Sequence, residues 1–309
     1  MRVLFWGSPE FAVVPLEALF SSAHRVVGVV CQPDRPGGRG RRLRPPAVKT
    51  AAGPRGVVVL QPELPRGREF LARIESLEAD ISVVAAYGHI LRPEVLEVPP
   101  HGSINLHASL LPAYRGAAPV QRAVLAGETT TGITVIRMDE GMDTGDMLAR
   151  RELTVLPGES AGELSVRLSS LAAELMLEVL EAVENNTLEP VPQPAEGVSY
   201  APKVKHGEAR LDWSRPAGEV ACRIRAFDPA PGAFCFYRGA MLKLFHPLPG
   251  EETALRPGEV AAAGEQGVAV CCGDGRAVLV RQLQAPGKRR MTAAEFLRGA
   301  RLAAGEILE

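Results

Sequence analysis

Aromatic side chains are scarce in this 309-residue sequence, at 5%, and cysteine occurs only five times, never as C-x-x-C. An odd handful of thiols, two of them adjacent at Cys271-Cys272, suits neither a disulfide framework nor a zinc knuckle, and a reducing cytoplasm is the expected setting. Long apolar runs are missing as well. Stretches such as Val26–Cys31 and Val83–Ala86 fall far short of the roughly 20 residues that cross a bilayer, so no membrane partner is expected. The opening Met1–Gly7 stretch reads as a strand and a turn, without a signal-peptide pattern. No sign of charge is in excess: 35 Lys+Arg stand against 36 Asp+Glu, which excludes a bulk polybasic nucleic-acid binder. The G-x-G-x-x-G fingerprint is also absent. The first strand–helix turn is Gly7-Ser8-Pro9-Glu10-Phe11, and proline stands where backbone amides would approach a pyrophosphate, which argues against dinucleotide binding.

What is present is ordinary folded composition, 46% apolar and 23% charged, with abundant Gly and Pro, and a length that favours two domains. Val3–Trp6, Val26–Cys31, Val57–Leu60, Asp80–Ala85 and Gly102–His107 are compact apolar runs separated by helical patterns, as in Arg66–Glu78. Runs without period-2 alternation predict a mostly parallel sheet covered on both faces, a Rossmann-like α/β fold. Ser8 is placed to cap a helix over Pro9–Phe20. Thr131–Met138 and Met147–Val155 add two strands around a Gly/Asp-rich loop. Leu164, Leu168, Leu171, Leu175, Val179 and Val183 then form one helical stripe. Pro190, Pro192 and Pro194 mark an extended linker. Beyond it, about five short strands predict a small OB-like β-barrel. The expected division is a catalytic domain over 1–188, a linker over 189–205 and the barrel domain over 206–309.

Open α/β sheets bind ligands beyond the carboxyl ends of their strands, and the fifth run ends there in Ser103-Ile104-Asn105-Leu106-His107. Asn105 and His107, two apart on a strand, share one face. An amide donor beside an imidazole suits a reaction that builds negative charge on oxygen while a proton moves, although an N-x-H spacing alone fits a structural pair better. The acidic stretch Asp139–Asp146 reads as a solvated turn or as the source of an Asp that orients His107. Its spacing does not fit an EF-hand, and no metal is expected.

The stretch from Gly102 to Leu148, with Ser109-Leu110-Leu111-Pro112 and Tyr114-Arg115-Gly116, resembles the folate-dependent formyltransferases. The likeness extends over the whole chain, through Gly7–Phe11, Gln32–Gly40, Ala86-Tyr87-Gly88, Arg225–Pro229 and Gly273-Asp274-Gly275, and is nearest the branch that acts on tRNA. It implies a catalytic set of Asn105, His107 and Asp143, with Ser109, Leu110, Leu111 and Pro112 against the folate. The implied reaction moves the formyl group of the co-substrate 10-formyltetrahydrofolate to the α-amine of methionine on initiator tRNA, releasing tetrahydrofolate, with no metal, in a monomer.

Between Asp34 and Glu63 there is no acid but seven cations, Arg35, Arg39, Arg41, Arg42, Arg44, Lys49 and Arg55. Five arginines within ten residues of a near-neutral chain favour a phosphate-binding loop over a merely solvated surface loop. In the tRNA-acting formyltransferases the matching insertion grips the acceptor end, so Arg39, Arg41 and Arg42 are the expected tRNA contacts. Residues 190–309 are net basic, with 16 cations against 13 acids, and Lys203, Lys205, Lys288, Arg289 and Arg290 are further candidates. Two other readings stay open: a formyltransferase acting on a sugar or purine amine, and a folate- or RNA-binding module without catalysis.

Overall fold

A computed structural model describes residues 1–37 and 42–309. The chain divides into two compact units that interleave in sequence. One comprises 1–119, 130–154 and 165–202, the other 120–129, 155–164 and 203–309.

The first unit is built on strands β1 (Arg2–Gly7), β2 (Arg25–Val30), β5 (Val59–Leu60), β6 (Ile81–Ala85), β7 (Ser103–His107), β8 (Thr130–Arg137) and β9 (Met147–Thr154), in the order β5-β2-β1-β6-β7-β8-β9. The first five are parallel, and β8 and β9 are added antiparallel at one edge. Every residue of β6 is buried, as the lack of alternation in its sequence requires. The edge strand β9, by contrast, alternates between half-buried and exposed residues. Helices α1 (Val13–Phe20), α2 (Ala47–Ala52), α3 (Arg68–Glu75) and α4 (Pro93–Leu96) lie between the parallel strands; α5 (Pro119–Ala126), which precedes β8 in the chain, belongs all but its first residue to the second unit. The long helix α6 (Ala161–Glu184) buries most of the predicted stripe, with Leu168, Leu175 and Val179 at 3% exposure or less and Leu171 and Val183 half-buried. The strand order reverses at β1, so the crevice where such sheets take ligands lies beside the carboxyl ends of β1 and β6, with β7 next to it.

Two local expectations are corrected. Ser8 does not cap α1: a short 3-10 turn, Glu10–Ala12, precedes that helix with no side-chain cap. The Ser8 hydroxyl accepts the Gln32 amide instead, at 3.0 Å, tying the β1 turn to the end of β2. The arginine-rich segment is not all loop, since β3 (Arg35–Gly37) and β4 (Arg42–Arg44) form an antiparallel ladder and α2 follows.

The second unit holds α7 (Ala217–Ala226) and strands β10 (Phe234–Tyr237), β11 (Ala240–Glu252), β12 (Val260–Gly264), β13 (Gly267–Cys271) and β14 (Arg276–Gln284) in the order β10-β11-β14-β13-β12. The short β15 (Met291–Thr292) pairs with β14, and α8 (Ala293–Gly299) follows. The last residues close the sheet on itself. Glu309 exchanges two backbone bonds with Phe236 of β10, while Val260 and Gly258 bond with Glu306 and Leu308 at the β12 side. Closure removes the exposed edges that an open antiparallel sheet would carry, and it gives the expected barrel.

Candidate active site

Strand β7 buries Ile104 and Leu106 on one face, each 2% exposed, and turns Asn105 and His107 to the other. His107 is itself buried. Its Nε2 lies 2.9 Å from the Tyr114 carbonyl, and a carbonyl only accepts, which assigns the proton to Nε2. Its Nδ1 stands 3.6 Å from Asp143 Oδ2, beyond hydrogen-bond length, and that oxygen accepts the Gly116 amide at 2.8 Å. The other carboxylate oxygen, Oδ1, accepts from Asn105 Nδ2 at 3.2 Å. Asp143 therefore touches both members of the β7 pair. An amide nitrogen carries two hydrogens, so Asn105 keeps a second donor. His107 Nδ1 sits beside a carboxylate without being bonded to it. The cluster thus offers one N–H and one ring nitrogen to a reacting molecule, with an anion behind them.

The loop between β8 and β9 supplies Asp143, whose backbone is left-handed at φ 54, as is that of Tyr114 at φ 61. Such conformations cost a residue with a Cβ on the order of 1–3 kcal/mol and persist only where the surroundings hold them. Gly145 is required beside Asp143: a Cβ there would stand 1.7 Å from the Arg137 carbonyl oxygen.

Two residues that the sequence did not single out supply part of the hold, and both lie in the proline-rich segment. Gln193 Nε2 donates to the carbonyls of Asp143 and Gly145 at 2.8 and 2.9 Å. Its Oε1 accepts from Arg115 Nη2 and Nε at 2.6 and 3.1 Å. Ser199 Oγ accepts the Tyr114 amide at 2.8 Å. The segment pairs Val191 with Met147 of β9 in both directions and runs parallel to residues 112–118 near Tyr200. The spacing of prolines showed that it is extended, but nothing in its sequence pattern pointed to these contacts.

The four residues expected against folate shape the loop after β7. Ser109 is fully buried and donates to the Ala113 carbonyl at 2.6 Å. Thr134 Oγ1 donates to the Ser109 carbonyl and accepts the Leu111 amide. Leu111 and Pro112 are buried and joined by a cis peptide, while Leu110 stays half-buried. Of the four, Leu110 leaves the most surface for a ligand.

The basic segment is less uniform than its charge count. Arg39 and Arg41 lie outside the described residues, and Arg42 opens β4 opposite Gly37. Three of the seven cations face carboxylates: Lys49 with Asp34 at 2.9 Å, Arg55 with Glu17 at 2.9 Å and Arg35 with Glu63 at 3.3 Å. Gln61 also donates to Asp34, and its hydrogen bond, followed by that of Lys49, holds the Asp34 carboxyl below its ordinary range. In the second unit, Arg290 grips Asp228 with two bonds of 2.7 and 2.9 Å and lies 4.1 Å over the Phe245 ring. That Arg290 is a packing residue, and Arg289 pairs with Glu295 at 2.8 Å. Lys203, Lys205 and Lys288 are exposed. Among the described residues no three His, Cys, Asp or Glu side chains converge as metal ligands, and no helix is long and apolar enough to cross a membrane.

Comparison with known proteins shows the family of the chain. The formyl transferase family pattern matches residues 1–180, and the formyl transferase C-terminal domain matches 203–301. A methionyl-tRNA formyltransferase of Symbiobacterium thermophilum is 46% identical over 97% of this chain and 92% of its own length. Among solved structures, the methionyl-tRNA formyltransferase from Clostridium thermocellum superposes with a TM-score of 0.58 at 13% identity, covering 92% of this chain and 98% of that one. The N-formyltransferase from Helicobacter canadensis, solved with folinic acid and dTDP-3-aminofucose, gives a TM-score of 0.68 at 18% identity, covering 92% of this chain and 99% of that one. These two structural likenesses concern the fold alone.

Proposed function

The chain belongs to the methionyl-tRNA formyltransferase family, and on that premise we propose how its residues carry the reaction. It is a formyl-transferring enzyme that formylates methionyl-tRNA, within a family that uses folate derivatives. In our reading the donor is 10-formyltetrahydrofolate, the acceptor is the α-amine of methionine on initiator tRNA, and a monomer works in the cytoplasm, releasing tetrahydrofolate. Residues 1–188 form the catalytic domain, 189–205 connect it, and 206–309 form the tRNA-contacting barrel. Leu110 and its neighbours Ser109, Leu111 and Pro112 border the folate.

The observation that carries the mechanism is the shared contact of Asn105 and His107 with Asp143. An α-amino group titrates near pH 8, so an appreciable fraction of the acceptor amine is neutral near physiological pH and can attack the formyl carbon. Attack places negative charge on the formyl oxygen, where the second Asn105 N–H donates. The amine sheds a proton as the C–N bond forms, and N10 of the folate needs one as its bond to carbon breaks. His107 Nδ1, beside Asp143 but not bonded to it, relays that proton. The Tyr114 carbonyl bonded to Nε2 fixes the ring, and Asp143 beside Nδ1 balances its charge while the proton is held. No oxidant or metal enters this sequence of steps.

The test is an assay of formyl transfer from 10-formyltetrahydrofolate to charged methionyl-tRNA, beside uncharged tRNA and a nucleotide-linked amino sugar. Product with charged methionyl-tRNA alone is expected. Equal or better transfer to the sugar amine would overturn the substrate assignment.

A further inference from the structure

The proline-rich segment shows an inversion of the usual order of burial. Of residues 191–200, Gln193 and Ser199 alone are half-buried, while Val191, Val198 and Tyr200 are exposed at 55, 37 and 67%. A stretch acting as a spacer gains nothing by turning its polar groups inward, and one acting as packing would turn in its apolar ones. The two inward groups meet the two left-handed residues that flank the imidazole. Ser199 holds Tyr114, whose carbonyl takes His107 Nε2, and Gln193 holds Asp143. The segment also lies close against this loop, since a Cβ on Gly116 would stand 2.8 Å from the Ala201 carbonyl oxygen.

We propose that Gln193 is a positioning residue for formyl transfer, acting on the reaction through the Asp143 loop; this rests on the reading of Asn105, His107 and Asp143 as the catalytic set. The orientation of its amide is unambiguous. Two carbonyl oxygens, of Asp143 and Gly145, require the NH2 end, and two Arg115 donors require the oxygen end. Glutamine is the residue that satisfies all four bonds. Glutamate keeps the length and the Arg115 pair but turns a carboxylate oxygen toward two carbonyl oxygens. Methionine keeps the length and makes none of the bonds. Freed from the amide, the left-handed backbone at Asp143 relaxes, and the carboxylate drifts from Asn105 and His107. Misplacement of a reacting group by about 1 Å costs on the order of a hundredfold in rate.

The experiment compares wild type, Gln193→Met, Gln193→Glu, Asp143→Asn and the double variant Gln193→Met/Asp143→Asn, in the full chain. Steady-state formylation is measured with 10-formyltetrahydrofolate and methionyl-tRNA, and folding is followed by thermal melting. Both Gln193 variants should lose roughly 10- to 100-fold in kcat, while KM for the folate stays within about twofold. Because Gln193 works through Asp143, adding Gln193→Met to Asp143→Asn should cost less than about threefold more, the non-additivity expected of coupled residues. If Gln193→Met does not fold, Gln193→Glu, which preserves the Arg115 contact, decides by kcat alone. Near wild-type kcat in the folded Gln193 variants, with Asp143→Asn impaired, overturns the inference and leaves the catalytic set standing. Losses that multiply fully in the double variant also overturn it. Full activity of Asp143→Asn overturns the catalytic set and the inference with it.

Discussion

The end of β7 and the arginine-rich segment were both prominent in the sequence, and the fold treats them in opposite ways. At β7, residues distant in sequence are brought together and bonded to one another: Asn105 to Asp143, Asp143 to Gly116, Tyr114 to His107. In the segment from Arg35 to Arg55, residues close in sequence are dispersed, and Lys49, Arg35 and Arg55 each face an acid. A strand imposes direction on its side chains, so the meaning of an N-x-H pair survives folding. A charge count carries no direction, and acids from other elements, such as Glu17, neutralise part of it. The proposed catalytic residues therefore form one bonded cluster, while three of the seven cations behind the phosphate reading already face carboxylates.

The sharpest way to break the contrast is to remove the β7 groups. His107→Ala should lower kcat by about 10²–10⁴, as loss of a proton-transfer group does, and Asn105→Ala by about 10²–10³, as loss of an oxyanion donor does. In steady-state kinetics KM for tRNA should stay within about twofold. Gly145→Ala comes next. Its Cβ cannot share space with the Arg137 carbonyl, so the Asp143 loop must move, with an expected fall of about 1–3 kcal/mol in denaturant-measured stability and at least tenfold in kcat.

Smaller effects test the other region. Replacing Arg39, Arg41 and Arg42 together by Gln should reduce the slope of log K against log[salt] for tRNA binding by roughly 2–3 units, at about 0.7–0.9 per phosphate. Replacing Arg35 and Arg55 by Gln should reduce it by less than about one unit, since each already has a carboxylate partner. Equal slopes for the two sets would erase the distinction drawn here. Smallest is Asp34→Asn. The hydrogen bonds of Gln61 and Lys49 depress the Asp34 carboxyl below its ordinary 3.8, so the charged form is the one favoured by folding. The stability lost in Asp34→Asn should be fully visible above pH 4 and should fade as pH falls below that value, as followed by urea denaturation across pH.

Much of the fold was legible because burial leaves a pattern. The unalternating runs of β1, β2, β6 and β7 record a sheet covered on both faces, and the Leu164–Val183 stripe records the buried face of α6. Ser8 was misread because a hydroxyl before a helix has more than one donor within reach, and the Gln32 amide took it. The link from Asp143 to His107 came from family resemblance, since a left-handed Asp in a loop has no periodic trace. Gln193 was invisible for a related reason: one glutamine among prolines has no spacing, and its four bonds exist only in the folded chain. Arg290, a candidate tRNA contact from charge alone, is half-buried by its Asp228 and Phe245 contacts from a distant part of the second unit.

The central claim is that the Asn105, His107 and Asp143 cluster performs formyl transfer without itself holding the tRNA. Single-turnover formylation of methionyl-tRNA by wild type and Asp143→Asn, with tRNA affinity measured in parallel, tests it most directly. In Asp143→Asn the transfer step should slow at least about a hundredfold at unchanged tRNA affinity. Equal transfer rates, or a loss explained wholly by weaker tRNA binding, would contradict it.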